Sequence, residues 1–303
     1  MKNLLITGAS GFLGWNVCHA AKNDWNVVGT YFSHEIKIPG CSLIRIDLTE
    51  YNELRKMFET IEIDAAIHTA AMSQPNLCQK NPKESEKINV GISQNLCNLC
   101  SEKQIPYIFT STDLVFDGTK APYSECSPVS PISIYGEQKV TAESSILNSY
   151  PNSAICRMPL MFGDGSPVSN SYLLPLLQSL QNNKEVTLFF DEYRTPTNGY
   201  IAALGLLIML KNKVNGIIHL GGREKISRYE FGRELASYCG FNSSLIKSIS
   251  QDSLKMEAPR PKDVSLNSSC AFKLGYAPLT IREEFDRIES VKKAVRSPTD
   301  NQR

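Results

Sequence analysis

The chain has 303 residues, with 32 Lys and Arg against 31 Asp and Glu and a formal charge of +1. That balance creates no overall field for nucleic acid or an anionic membrane surface, so neither is an expected partner. Nine cysteines without paired spacings argue against a disulfide framework and for a reducing compartment, the cytoplasm.

Single cores stop growing near ~250–300 residues, so this length predicts one main domain with a smaller lobe. Residues 1–8 hold only a short apolar run before a glycine, too short for a secretory signal or a membrane span. Strand-length apolar runs follow at 4–6, 26–29, 42–46, 65–69 and 107–110. Helical patterns alternate with them at 12–22, 54–60, 84–103 and 135–148. This alternation predicts an α/β, Rossmann-type doubly wound parallel sheet. Residues 154–157 and 217–220 read as two further strands, and the apolar stretch 201–210 is too short to cross a bilayer. The expected organisation is therefore a sheet domain over 1–157, rejoined by segments near 190–220, a lobe over 158–289, and a frayed polar tail over 290–303. Cys97 and Cys100 form a lone C-x-x-C within a helical pattern. With no second ligand pair and no carboxylate cluster, they read as core residues, and no metal site is expected.

The first chemical motif is Thr7-Gly8-Ala9-Ser10-Gly11-Phe12-Leu13-Gly14, directly between a strand and a helix. Glycines let the backbone turn tightly and approach a pyrophosphate, which is met by the N–H groups and dipole of the helix start. Gly8, Ser10, Gly11, Phe12 and Leu13 are thus candidate cofactor contacts. On the second strand, Val27-Val28-Gly29-Thr30-Tyr31-Phe32-Ser33-His34 lacks the acid that usually holds the adenosine ribose of NAD. The absent acid, with Ser33, His34 and Lys37 as donors to a 2′-phosphate, favours NADPH over NADH, although no arginine completes the set; Tyr31 is a further candidate cofactor contact. Asp47 and Leu48, after the third strand, are expected to flank the adenine; the alternative for Asp47 is the N-cap of the helix that follows.

A second motif is Tyr135-Gly136-Glu137-Gln138-Lys139, where one helical turn brings phenol and ammonium onto one face. Alone, this spacing is weak evidence. It gains force from Phe109-Thr110-Ser111-Thr112-Asp113, an apolar strand ending in hydroxyls, because ligands of open parallel sheets bind beyond the carboxyl ends of the strands. His68 and His219 lie in strands and read as satisfied core residues, while His19 belongs to the first helix.

These motifs, with Asp113-Leu114-Val115-Phe116-Asp117-Gly118, Ile88-Asn89-Val90, Arg157-Met158-Pro159-Leu160, Arg194-Thr195-Pro196-Thr197 and Arg260-Pro261-Lys262-Asp263, resemble the extended short-chain dehydrogenases, specifically the dTDP-4-dehydrorhamnose reductase group, over roughly residues 1–288. The resemblance implies a catalytic trio of Thr112, Tyr135 and Lys139, with Asn89 supporting Lys139. Ala70, Ala71 and Met158 would line the cofactor, and Ser73, Thr112, Leu160, Arg194 and Arg260 would face the substrate. It further implies hydride transfer from NADPH to a carbonyl of a small molecule, with Tyr135 as acid, in a protein that is an enzyme and leaves room for a homodimer. Leu160 stands where the rhamnose enzymes carry an aromatic residue, and Met72-Ser73-Gln74-Pro75-Asn76 departs from their acidic pattern, so ketones and imines other than 4-keto sugars stay open. The regulatory β subunit of methionine adenosyltransferase is similar to the same subgroup and is the competing, non-catalytic reading. A sugar-nucleotide epimerase or dehydratase is the third.

Overall fold

In the computed structural model, which describes residues 1–169 and 171–296, six strands, β1 (Asn3–Thr7), β2 (Asn26–Tyr31), β3 (Cys41–Arg45), β4 (Ala65–His68), β5 (Tyr107–Thr112) and β6 (Ala154–Met158), join Gly216–His219 in one sheet. All its pairings are parallel, and the order runs Gly216–His219, β6, β5, β4, β1, β2, β3. The chain starts at β1 and builds outward in both directions, so the order reverses between β1 and β4.

The uniform apolarity of these strands has a packing cause. Leu4 and Ile6 enter one core with Val17 and Leu206, whereas Leu5 enters the opposite core with Phe58 and Leu96. A parallel sheet covered on both faces needs apolar residues at every position, not every second one. Helix α1 (Phe12–Ala21) and the helix Gly199–Lys211 cover the first face. Helix α2 (Tyr51–Thr60) belongs to the second. Cys97 and Cys100 are fully buried in that second core, as expected of packing residues.

The helix expected over 84–103 is three pieces. After α3 (Pro75–Lys80) come α4 (Pro82–Glu86), a π-helical turn Lys87–Ile92, and α5 (Ser93–Glu102); α6 (Ile134–Ser149) follows β5. Such wide turns concentrate at functional sites, and this one carries Asn89.

The second lobe has its own core of Phe162, Leu173, Leu176, Phe231, Leu235 and Phe285. Its strands are short pairs: Met161–Phe162 with Thr197–Asn198, Tyr193–Arg194 with Ile226–Ser227, and Val186–Phe189 with Ile246–Ile249. The expected tail from 290 needs correction. Glu289–Arg296 is a helix whose Val291 and Ala294 are buried in the lobe core. Its start is held because the Asp164 carboxylate accepts the backbone N–H groups of Glu289 and Ser290, filling a helix-terminal role normally taken by a local residue. Residues 297–303 of that expected tail lie outside the described residues. No helix among the described residues is long and apolar enough to cross a membrane.

Candidate active site

A cleft of about 600 Å³ opens at the carboxyl ends of the strands, over the reversal between β1 and β4. Open α/β sheets bind ligands there because the loops diverge to opposite faces. The turn after β1 forms its floor. Gly8 has φ +72°, and a Cβ on Gly14 would sit 2.2 Å from the Gly8 carbonyl oxygen, so α1 approaches the turn as closely as backbone allows. Gly11 starts α1 without a side-chain cap, leaving first-turn N–H groups to a ligand. A bare glycine floor at a helix start suits a pyrophosphate, and the loops on either side extend the cleft enough for a dinucleotide.

Gly8, Ser10, Gly11, Phe12 and Leu13 line the cleft from the first turn, Tyr31 and Ser33 from the second. Asp47 and Leu48 line it after β3; Glu50, not Asp47, is the N-cap residue of α2, and the Asp47 carboxylate accepts Thr49 N–H at 2.9 Å and its hydroxyl at 2.7 Å. Ala70, Ala71 and Ser73 line it after β4, and Met158 at the end of β6. His34 and Lys37 are exposed and outside the lining, with His34 Nδ1 2.8 Å from Ser33 Oγ.

Tyr135 and Lys139 enter the same cleft from α6. Ser133 caps that helix by accepting Gly136 N–H at 3.3 Å. Gly136 is needed between them: its Cβ would lie 2.3 Å from the Leu114 carbonyl oxygen, so the first turn of α6 presses against the loop leaving β5. Lys139 is 2% exposed, donates from Nζ to the Thr110 carbonyl at 2.9 Å, and lies 4.4 Å from the Phe109 ring centroid. Burial pushes its ammonium down to about 8, against the opposing fields of Glu143 and Cys78. Burial raises the Tyr135 phenol well above its ordinary range, helped by Cys78 and Asp113, while the Thr112 hydroxyl pulls it back.

Thr112, Asn89, Leu160, Arg194 and Arg260 stand outside the cleft lining. Thr112 ends β5, accepts Leu114 N–H at 3.2 Å and donates to Asp113 at 3.3 Å. Asn89 makes no direct bond to Lys139 and takes the alternative role, that of a structural amide. Its amide is committed to the Met72 backbone, at 2.9 and 3.1 Å, and to Gln138 at 2.9 Å, so it holds the loop after β4 against α6. Leu160 accepts Thr197 N–H through its carbonyl where the two lobes join. Arg260 donates to Asn76 at 3.2 Å, and its Nη1 is buried without a partner among the described residues.

Arg194 is buried in an ionic network with Asp113, part of the motif after β5, and with Glu192 and Arg228, which sequence reasoning did not assign to the site. Its Nε lies 3.4 Å from Asp113 Oδ2 and its Nη2 3.1 Å from Glu192 Oε1, which also takes Arg228 Nε at 3.0 Å. Ser227 and Glu230 form a capping box that starts the next helix at Arg228. Burial pushes Asp113 up to about 6 despite Arg194. Burial also works to raise Glu192, but Arg228 and Arg194 outweigh it and hold the carboxyl below its usual range. Nothing in the sequence marks Glu192 as buried, because only the fold supplies its two arginines.

His68 is the satisfied core residue expected: its ring lies 2.6 Å from Thr7 Oγ1 and 3.1 Å from Ser93 Oγ, and burial pushes it down to about 3. His219 is a correction. It is buried against the edge of Phe116, and among the described residues neither ring nitrogen makes a hydrogen bond of normal geometry.

Known proteins align with this arrangement over nearly all its length. The chain is 28% identical over 290 residues to a probable low-salt glycan biosynthesis reductase, Agl14, of Haloferax volcanii, covering 94% of this chain and 96% of that protein. It is 29% identical over 286 residues to the methionine adenosyltransferase 2 subunit beta of Xenopus laevis, covering 92% and 84%. The crystal structure of a hypothetical dTDP-4-dehydrorhamnose reductase from Sulfolobus tokodaii superposes with a TM-score of 0.80 at 28% identity, over 90% of this chain and 94% of that one. Residues 1–290 match the RmlD substrate binding domain, and the chain belongs to that family.

Proposed function

We propose that this chain is an NADPH-dependent reductase of a small-molecule carbonyl, the 4-keto group of a nucleotide-linked sugar being the first class to consider. The observation that carries this reading is that Tyr135 and Lys139 share one cleft with the bare glycine turn. A hydroxyl proton donor and a dinucleotide floor in one cavity are what carbonyl reduction requires. When bound, the reduced nicotinamide supplies hydride to the carbonyl carbon. Tyr135 holds the proton and passes it from its hydroxyl to the carbonyl oxygen as charge develops there. Thr112 donates a hydrogen bond towards the same oxygen. Lys139, fixed by the Thr110 carbonyl, stabilises the phenolate left behind and orients the cofactor ribose. Ser73, Leu160 and Arg260 contribute to the substrate side, with Arg194 acting there through its pairs with Asp113 and Glu192, and the planar fork of Arg260 suits a phosphate or carboxylate. The names of the Haloferax and Sulfolobus proteins support a reductase of this class.

The likeness to the methionine adenosyltransferase subunit supports a second reading, a cofactor-binding regulatory subunit without turnover. One experiment separates the two. NADPH oxidation is followed with a panel of nucleotide-linked 4-keto sugars, other ketones and imines, for the native protein and Tyr135→Phe. Turnover lost by about 10²–10⁴-fold in the variant, with NADPH binding retained, supports the reductase. Tight NADPH binding with no turnover, and co-elution with a methionine adenosyltransferase catalytic subunit, supports the second.

A further inference from the structure

We propose that Arg45 selects the phosphorylated cofactor, binding the 2′-phosphate of NADPH from the strand next to the one where such a residue is normally sought. This inference rests on the reading of NADPH as the cofactor. β2 carries no acid and no arginine, but the register of the parallel pair sets Arg45, the last residue of β3, directly beside Tyr31. The guanidinium then leans over the end of β2, where its Nε donates to the Phe32 carbonyl at 3.2 Å. Tyr31, Phe32 and Ser33 all line the adenosine end of the cleft. A basic group is therefore fixed by its Nε to the very loop that the ribose must approach.

Three features suit it to an anion. Among the described residues Arg45 forms no ion pair, although thirteen other Lys and Arg contacts to carboxylates are made elsewhere among them. With Nε engaged, its two terminal amino groups remain for a phosphate, the fork geometry that guanidinium offers and ammonium does not. The loop is also pinned: the strand ends at Tyr31, and Ile36 and Ile38 are buried in the core just beyond, so little order has to be gained on binding. The Ser33 hydroxyl, paired with His34 at 2.8 Å, is a second donor on the same loop. Asp47, the carboxylate nearest in sequence, accepts both Thr49 donors on Oδ1 rather than pairing with Arg45.

The test is equilibrium binding of NADPH, NADH, 2′,5′-ADP and 5′-ADP by titration calorimetry to the native protein, Arg45→Gln and Arg45→Lys, with the melting midpoint of each ligand-free protein. A charge-assisted pair predicts that Arg45→Gln weakens NADPH and 2′,5′-ADP by about 10- to 100-fold and leaves NADH and 5′-ADP within about twofold. Arg45→Lys should recover part of the loss. If the native protein prefers NADPH and Arg45→Gln preserves that preference, the assignment of Arg45 is overturned while the cofactor reading stands. Equal loss of both dinucleotides with a lowered midpoint makes Arg45 a structural residue and likewise overturns it. If the native protein binds NADPH and NADH alike, it is the cofactor reading that falls.

Discussion

The carboxylate of Glu143 meets the guanidinium of Arg157 in a two-pronged pair, Nε to Oε1 at 3.0 Å and Nη2 to Oε2 at 2.7 Å, with both side chains sealed from solvent. Ser111 donates to the same carboxylate, and Phe116 lies under the guanidinium at 5.1 Å. The pair ties α6, which carries Tyr135 and Lys139, to β6 and β5 beneath the cleft.

Breaking that pair on one side leaves a buried charge alone. Glu143→Gln and Arg157→Leu should each lower the unfolding free energy by about 3–5 kcal/mol, whereas the double variant Glu143→Leu/Arg157→Met should recover much of it. Chemical denaturation of the four proteins measures this. A double variant no better than the singles would mean that the pair stabilises the fold in its own right.

Lys139 should produce two pH dependences of opposite sign. Its ammonium is held down at about 8 against an ordinary 10.5, so the unfolded chain keeps the proton over a range where the folded one has lost it. The stability contributed by this group is complete above the unfolded value and lost as pH falls through about 8. Cofactor affinity runs the other way, because only the charged form attracts the ribose and its phosphates: it is full below about 8 and falls as pH rises through it. Subtracting the profiles of Lys139→Met from those of the native protein isolates both effects. Parallel trends would exclude Lys139 as their source.

Gly136 tests how closely Tyr135, the proton donor proposed above, must be positioned. A methyl there would meet the Leu114 carbonyl oxygen at 2.3 Å and Pro131 at 2.9 Å, so Gly136→Ala should move the start of α6 away from β5. The expected cost is about 1–3 kcal/mol of stability. Because Tyr135 is the adjacent residue, kcat should fall about 10²-fold, as for a misplacement of about 1 Å. NADPH affinity, which depends mainly on the turn after β1, should change much less. Stopped-flow reduction and titration calorimetry separate the two quantities, and equal losses in both would contradict a positioning role.

The sheet half of the molecule was legible in the sequence because burial on both faces writes a dense apolar signal. Leu4, Leu5 and Ile6 need no partner information to be read as a strand. The second lobe was not legible. Met161–Phe162 and Thr197–Asn198 are two residues long and pair with partners 36 positions away, leaving no period to detect. The glycine turn and the Tyr135–Lys139 pair were visible because their geometry is local. The buried Glu192–Arg228 contact was hidden because charge predicts exposure unless a tertiary partner reverses it. Arg45 went unnoticed for a third reason: it is an exposed strand residue whose importance depends on cross-strand register with Tyr31. Asn89 was found, but its direct partners, Met72 and Gln138, were not legible because they depend on the π-helical turn that carries it.

One short connection, residues 164–166, touches both ends of the described chain. Ser166 donates to the Ser10 carbonyl in the glycine turn, and the Asp164 carbonyl accepts from Asn16 in α1 at 3.0 Å. The Asp164 side chain simultaneously holds the start of the helix Glu289–Arg296. The last helix and the first turn are thus mechanically one joint. A deletion from residue 289 onward, or a fusion that strains this helix, would act as a lesion at the pyrophosphate floor some 280 positions earlier in the chain.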